Sequence, residues 1–301
     1  MENQSQKTEE NQQSRPMVSV VMIAYNSSRY ISQAIEGVVK QRHKFDVQLV
    51  ICDDASIDNT AEIVEKWSKK YPGIIDYYRN EKNLGVQGNY LEAFKHCKGK
   101  YLTMCDADDY WCCHSKLARQ VAYMEAHPEC VLTYHRVINY YEVSGEMSLS
   151  NGRGLISRTP QELAASNTIT NLSVMYRSDA LDLKNLPAWL SEVRLIDYAM
   201  HMLYAQHGDI HYMSRPMGVY RHLPTAIWSL AEQNRRREMA IDVRKHLIEE
   251  LADRPDLTGP LQESIQRMLD NSQKPQETPS WRRFFKICRS ILSRLIPVPR
   301  P

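Results

Sequence analysis

Three carboxylates, Asp106, Asp108 and Asp109, fall within four residues where the apolar run "LTMC" passes into "DADDYW". Negative charge crowded at the end of a buried segment needs compensation. Hard oxygen ligands in a small open set suit Mg2+ or Mn2+, which bind through one or two carboxylates and complete their shells with substrate phosphates. Alternate residues of an extended segment point the same way, so Asp106 and Asp108 are expected to face one side, about 7 Å apart along the chain. The competing reading is an acidic turn that caps a helix starting near Ser115. A second acidic pair, Asp53 and Asp54, ends the run "VQLVICDD". A carboxylate there can accept a hydrogen bond from the imide N–H of uracil, thymine or guanine, and Asp54 is the candidate. Asp53, Ser56 and Asp58 also precede a helix, and one of them is expected to cap it.

The elements around these groups follow from hydrophobic periodicity. "VSVVMIAY" (18–25) reads as a buried strand, and Ile31, Ala34, Ile35, Val38 and Val39 recur at helical spacing after it. The strand 47–54 precedes a helix whose apolar face is Ala61, Ile63, Val64 and Trp67. "IIDYY" (74–78) leads through "NEKNLGVQGN" into a helix bearing Leu91, Phe94 and Cys97, and "KYLTMC" (100–105) closes the series. Strand and helix in strict alternation predict an α/β fold, a parallel sheet with helices on both faces. Ligands of such sheets gather beyond the carboxyl ends of the strands. Each polar cluster lies at such an end: Ala24-Tyr25-Asn26 after the first strand, Asp53-Asp54 after the second, the segment holding Asn83 after the third, and Asp106-Asp108-Asp109 after the fourth. Gly-rich phosphate loops of either common pattern are absent, so bound phosphate must be neutralised another way.

Bulk properties restrict the class. With 301 residues, 43% hydrophobic and 25% charged, the chain is long enough to bury a full core. Its longest unbroken apolar run, "VVMIAY", is too short to span a bilayer, and residues 1–16 lack the apolar core of a signal peptide. A cytoplasmic location is expected. Seven cysteines without C-x-x-C spacing argue against a zinc site, and Cys52, Cys97, Cys105 and Cys130 read as small buried hydrophobes. The net charge is +2, yet residues 274–301 hold seven Lys or Arg against Glu277 alone, so the body is mildly acidic. That balance speaks against nucleic acid as a partner.

The stretches "SVVMIAYNSSRYISQAIEGVVKQ", "VICDDASIDNTAEI" and "NEKNLGVQGNYLEAFKHCKGKYLTMCDADDYW", followed by "LSVMYRSDAL" and "IDYAMHMLYAQHGDIHYMSRPMGVYR", resemble the family 2 glycosyltransferases of GT-A fold. The resemblance covers about residues 17–222. It implies a mainly parallel central sheet flanked by helices, with a C-terminal helical extension. Activity would be inverting transfer of a sugar from a nucleotide-diphosphate donor, UDP favoured over GDP or dTDP, to a saccharide or lipid-linked acceptor. Tyr25, Asn26 and Asp54 would then hold the nucleoside, within a donor-binding set of Ala24, Tyr25, Asn26, Asp54, Asn83 and Asp106. Asp106 and Asp108 would hold Mg2+ or Mn2+ on the diphosphate, and Asp197, at the start of a helix with apolar face Ala199, Met200 and Leu203 and stop Gly208, would be the general base. Two positions depart from the family pattern: the D-D-G-S element is "DDAS", and the Glu that precedes the base is Ile196. A nucleotidyltransferase, or a nucleotide-binding module without activity, are the competing classes.

The expected organisation is a disordered segment at 1–16, a glycosyltransferase domain at 17–223, a helical extension at 224–272, and a linker and basic amphipathic helix at 273–301. In that last helix Trp281, Phe284, Phe285, Cys288, Ile291, Leu292 and Leu295 form an apolar stripe among basic residues, which fits either the surface of an anionic membrane or docking on the catalytic domain or a second copy of the chain, the basic balance favouring the membrane. Residues 142–171 are expected to shape the acceptor pocket.

Overall fold

The structure is a computed structural model that describes residues 18–150, 156–224 and 232–273. Described residues up to Ser264 belong to one compact unit, and those from Ile265 to a second. The basic helix expected at 281–296 and the segment 1–16 lie outside the described residues.

The first half of the chain follows the expected alternation. Strands β1 (Val18–Ala24), β2 (Val47–Asp53), β3 (Ile75–Arg79) and β4 (Tyr101–Met104) pair in parallel in the order β3-β2-β1-β4, with helices α1 (Ile31–Val39), α2 (Thr60–Lys70) and α3 (Gly85–Lys95) between them. β1, β2 and β4 are buried nearly throughout, which is why they read as continuous apolar runs rather than alternating ones. Two apolar clusters line the two faces of the sheet. Val18, Val20 and Met22 pack with Ile31, Ile35 and Val64 on one, while Val21 and Val50 pack with Tyr90 and Phe94 on the other. α3 starts at Gly85, earlier than its apolar residues suggest, and buries Tyr90, Ala93 and Phe94, with Leu91 at the margin and Cys97 beyond its end.

Beyond β4 the sheet turns mixed. β5 (Tyr110–Trp111), β6 (Cys130–Tyr141), β7 (Glu146–Leu149), β8 (Met175–Arg177) and β9 (Asp209–His222) extend it in the order β4-β8-β6-β9-β5, with β7 paired to β6. β8 runs antiparallel to β4 and β6, whereas β9 runs parallel to β6. Helix α4 (Lys116–Ala126) follows β5, and α5 (Pro160–Ala165) opens on a capping box in which Thr159 and Glu162 satisfy each other's backbone N–H groups. Helix α6 (Ile196–Ala205) is buried on nearly every side rather than along one stripe. Helices α7 (Gln233–Glu250) and α8 (Pro255–Gln273) close the described chain, and Val243, Leu247, Leu251, Leu257 and Leu261 join the same core as α6.

Gly208 serves a purpose other than the helix stop expected of it. A Cβ there would lie 2.4 Å from the Glu129 carbonyl oxygen and 2.7 Å from Val131 Cγ1, so close approach of β9 to β6 is what requires glycine. None of the described helices is long and apolar enough to cross a membrane.

Candidate active site

The carboxyl ends of β1, β2 and β4, with the loop after β3, converge on a cleft of about 510 Å³. Ala24, Tyr25, Asn26, Asp54, Asn83, Asp106 and Asp108 all line it, together with Tyr30, Tyr90 and Arg194. Its size lies in the range of small-molecule sites.

Asp106 and Asp108 share the cleft for a different reason than strand alternation. β4 ends at Met104, and residues 106–109 form a turn closed by the Asp109 N–H on the Asp106 carbonyl at 3.0 Å. Pairing with β1 carries on into that turn, through Cys105 N–H to Val21 O and Ala107 N–H to Ile23 O. Nor does the acidic turn cap a helix: α4 has Ser115 at its N-cap position and no acidic residue in its first turn. The third carboxylate has a separate role. Asp109 is buried, and its Oδ1 accepts the backbone N–H of Arg221 at 2.8 Å. The Arg221 guanidinium donates to the Asp108 carbonyl and to Gln33 Oε1, and it lies over the Tyr110 ring at 4.6 Å.

Asp106 is fixed by two side chains that the sequence pattern does not mark. Tyr90 OH donates to Oδ1, Asn171 Nδ2 donates to Oδ2 at 3.3 Å, and the same Asn171 amide reaches Tyr90 OH at 2.7 Å. Burial and then the neighbouring Asp108 carboxylate raise Asp106 to about 7, against hydrogen bonds that pull it down. Burial likewise raises Asp108. Among the described residues, no group of three or more His, Cys, Asp or Glu side chains could hold a metal alone. Two carboxylates held in reluctantly ionised form fit the open set a hard dication uses when phosphate oxygens supply the rest of its shell.

At the end of β1, Tyr25 is 52% exposed, so its ring is open to a stacking partner. Asn26 holds a left-handed backbone with φ 49° and is locked by Ser56 Oγ on its N–H at 2.9 Å and by Ile57 N–H on its Oδ1 at 2.9 Å. Asp54 is more committed than its position in the sequence suggests. Oδ1 accepts Leu84 N–H at 2.7 Å and Asn80 Nδ2 at 2.9 Å, and Oδ2 accepts Gly85 N–H at 2.9 Å. The carboxylate thus shapes the loop before α3 and keeps accepting capacity on Oδ2 for a ligand. Asn83 bridges the same loop, with Nδ2 on the Asp54 carbonyl at 3.3 Å. None of the three candidates holds the N-cap of α2, which is Asn59 and makes no side-chain cap; Asp58, one residue earlier, accepts Thr60 N–H on Oδ1 at 2.9 Å. Burial raises Asp58, but hydrogen bonds from Thr60 and Ser28 outweigh it and hold it at about 2. Asp53 instead accepts Ser56 N–H at 2.9 Å and Tyr77 OH at 2.9 Å.

Asp197 stands in the first turn of α6 beside the cleft rather than in its wall. It borders an adjoining void of about 10 Å³ with Tyr90, Asn171 and Ile196. Tyr90 lines both spaces. Burial raises Asp197, opposed by backbone N–H groups at the start of the helix. Ile196 is 4% exposed and packs in the core. A glutamate in that apolar place would bury a charge.

A parallel strand series continued by mixed strands, with acidic groups gathered at the strand ends, is the architecture of the GT-A transferases. The chain belongs to glycosyltransferase family 2: the family described as "Glycosyl transferase family 2" matches residues 19–181. The uncharacterized protein Rv1520 of Mycobacterium tuberculosis is 35% identical over 224 residues, 73% of this chain and 63% of the relative. This chain therefore spans under two thirds of that relative's length. Escherichia coli WfaP, named as a UDP-Glc:alpha-D-GlcNAc-diphosphoundecaprenol beta-1,3-glucosyltransferase, is 31% identical over 125 residues, 42% of this chain and 46% of that one. Among solved structures, S. aureus TarS 1-349 in complex with UDP-GlcNAc superposes with a TM-score of 0.61 at 20% identity, covering 81% of this chain and 71% of that one. The mannosyltransferase PcManGT from Pyrobaculum calidifontis, in complex with GDP-Man and Mn2+, gives 0.58 at 16% identity, covering 92% and 81%. Likeness at that level carries the fold.

Proposed function

We propose that this chain transfers a sugar from a nucleotide-diphosphate sugar to an acceptor hydroxyl with inversion at the anomeric carbon. One observation carries the reading: residues from four separate strand ends, far apart in sequence, line one cleft that pairs an exposed tyrosine with two carboxylates. Tyr25 stacks on the base, and Asn26, Asn83 and Asp54 hold the nucleoside. Asp106 and Asp108 would hold Mg2+ or Mn2+, which when bound supplies charge neutralisation on the diphosphate. Asp197 accepts the proton of the acceptor hydroxyl. The acceptor oxygen bonds to the anomeric carbon, and the bond from that carbon to the diphosphate oxygen breaks with its electron pair on the oxygen. A base with a raised pKa suits that task at neutral pH.

WfaP is named for a UDP-sugar donor and a lipid-diphosphate acceptor, and the two solved relatives hold a UDP-sugar and a GDP-sugar. These support a nucleotide sugar as donor, with UDP the first choice, and a saccharide or lipid-linked acceptor. The basic stretch 281–296 supports peripheral attachment to the inner face of an anionic membrane. Sedimentation of the full chain with anionic vesicles, lost in a chain ending at Gln273, is the expected result.

The test of activity is incubation with UDP-, GDP- and dTDP-sugars in Mn2+ and detection of released nucleoside diphosphate. Release from at least one donor is expected. Tight nucleotide binding without release from any donor, in the presence of candidate acceptors, favours the inactive module. Release of inorganic diphosphate from a nucleoside triphosphate instead identifies a nucleotidyltransferase.

A further inference from the structure

Arg194 is the one cation among the described residues that line the cleft, against Asp54, Asp106 and Asp108. Its side chain is exposed, and its guanidinium makes no hydrogen bond or ion pair among the described residues, with these carboxylates or any other. Its backbone is nonetheless held. Val193 and Ile196 on either side are buried in the core, and Gln87 Nε2 of α3 donates to the Arg194 carbonyl at 3.4 Å. Fixed main chain beneath a free guanidinium, at the rim of an acidic cleft, is how a protein keeps a cation ready for an incoming anion.

The charge balance identifies the anion. Asp106 and Asp108 together offset a dication, which leaves the charge of a donor diphosphate uncompensated. When the sugar leaves, the diphosphate gains a further negative charge. We infer that Arg194 contacts the diphosphate of the donor and holds the nucleoside diphosphate as it departs. The inference rests on the nucleotide-sugar reading above and adds to it a residue that the family motifs do not mark. Arginine suits the task because its planar fork offers several N–H donors to phosphate oxygens at once.

The experiment compares calorimetric binding of UDP and UMP, and of GDP and GMP, to the full chain in Mn2+. The wild-type chain is measured beside Arg194→Gln and Arg194→Lys. Melting temperature should be unchanged, since the side chain is exposed and unpaired. Arg194→Gln should weaken the diphosphate by about tenfold or more, the scale of one lost charge-assisted contact, while the monophosphate stays within about twofold. Arg194→Lys should recover part of the loss. Equal weakening of diphosphate and monophosphate, or no change in either, overturns the assignment while leaving nucleotide binding intact. Failure of the wild-type chain to bind any of the four nucleotides overturns both the assignment and the nucleotide-sugar reading beneath it.

Discussion

Arg221 donates its backbone N–H to Asp109 Oδ1 at 2.8 Å, joining the end of β9 to the acidic turn after β4. The bond divides three adjacent carboxylates by role: Asp109 ties the sheet together, while Asp106 and Asp108 face the cleft. Burial and the nearby Asp108 charge raise Asp109 as well, but its partner is the protein itself.

Substitution should separate the two roles. Asp109→Ala strips a buried N–H of its acceptor and should cost about 1–3 kcal/mol of stability. Asp108→Ala removes like charge from a crowded site, so at pH 8 it should melt no lower than wild type; Asp106→Asn keeps an acceptor for Tyr90 and Asn171 and should melt close to wild type; both should lose turnover by about 10²-fold or more. Thermal melts beside donor-turnover assays give the answer. Equal destabilisation by all three would mean that the whole acidic turn is structural.

Asp197→Asn keeps the shape of the side chain and removes its capacity to take a proton. Turnover should fall by about 10²-fold or more, with donor binding retained in calorimetry. A variant that turns over normally and melts lower would show that the carboxylate only stabilises the first turn of α6.

The strand-end clusters could be read from sequence because buried parallel strands are continuous apolar runs, and the polar residues that stop them are conspicuous. Ala24 to Asn26, Asp54, Asn83, Asp106 and Asp108 were found that way, and all line one cleft. What escaped the pattern was geometry that side-chain types do not carry. Asp54 is held by the backbone N–H groups of Leu84 and Gly85, donors present at every residue and so invisible as a motif. Tyr90 looks like any aromatic on a helix until its hydroxyl is seen on Asp106. The strand alternation expected of Asp106 and Asp108 failed because the chain turns at Ala107. The helix start at Thr159-Pro-Gln-Glu162 went unread too, although threonine, proline at the next position and glutamate three residues on form a capping signature.

Two buried histidines weaken the fold toward acid, against the buried carboxylates such as Asp106, whose raised pKa works the other way. Burial lowers both His135 and His201 to about 3; near Lys116 the charged form of His135 is also disfavoured, and its Nε2 has no partner among the described residues. The unfolded chain takes up their protons near pH 6.5, whereas the folded chain resists until about pH 3. Their contribution to stability is therefore complete above about pH 6.5 and is lost as pH falls from there toward 3. His135→Gln cannot titrate, so its melting temperature should fall less steeply than wild type between pH 6.5 and 4. Parallel curves would mean that His135 is protonated in the fold.

The last prediction concerns the turn between Asp54 and Ser56, where the family pattern carries glycine and this chain carries Ala55. The backbone there has φ 58°, in the left-handed region, and the residue is not glycine. A β-carbon in that conformation costs about 1–2 kcal/mol. Glycine removes the strain but adds freedom to the unfolded chain, which takes back about 0.4–1 kcal/mol. Ala55→Gly should therefore stabilise the protein by up to about 1.6 kcal/mol, a rise in melting temperature of up to about 6 °C for a domain of this size. Nucleotide affinity should stay within about twofold, because the Asp54 carboxylate is positioned by Asn80, Leu84 and Gly85 rather than by the turn alone. A lower melting temperature in the glycine variant would show that the alanine methyl makes a packing contact worth more than the strain it imposes, and that the substitution in this chain is an adaptation of the turn rather than a tolerated cost.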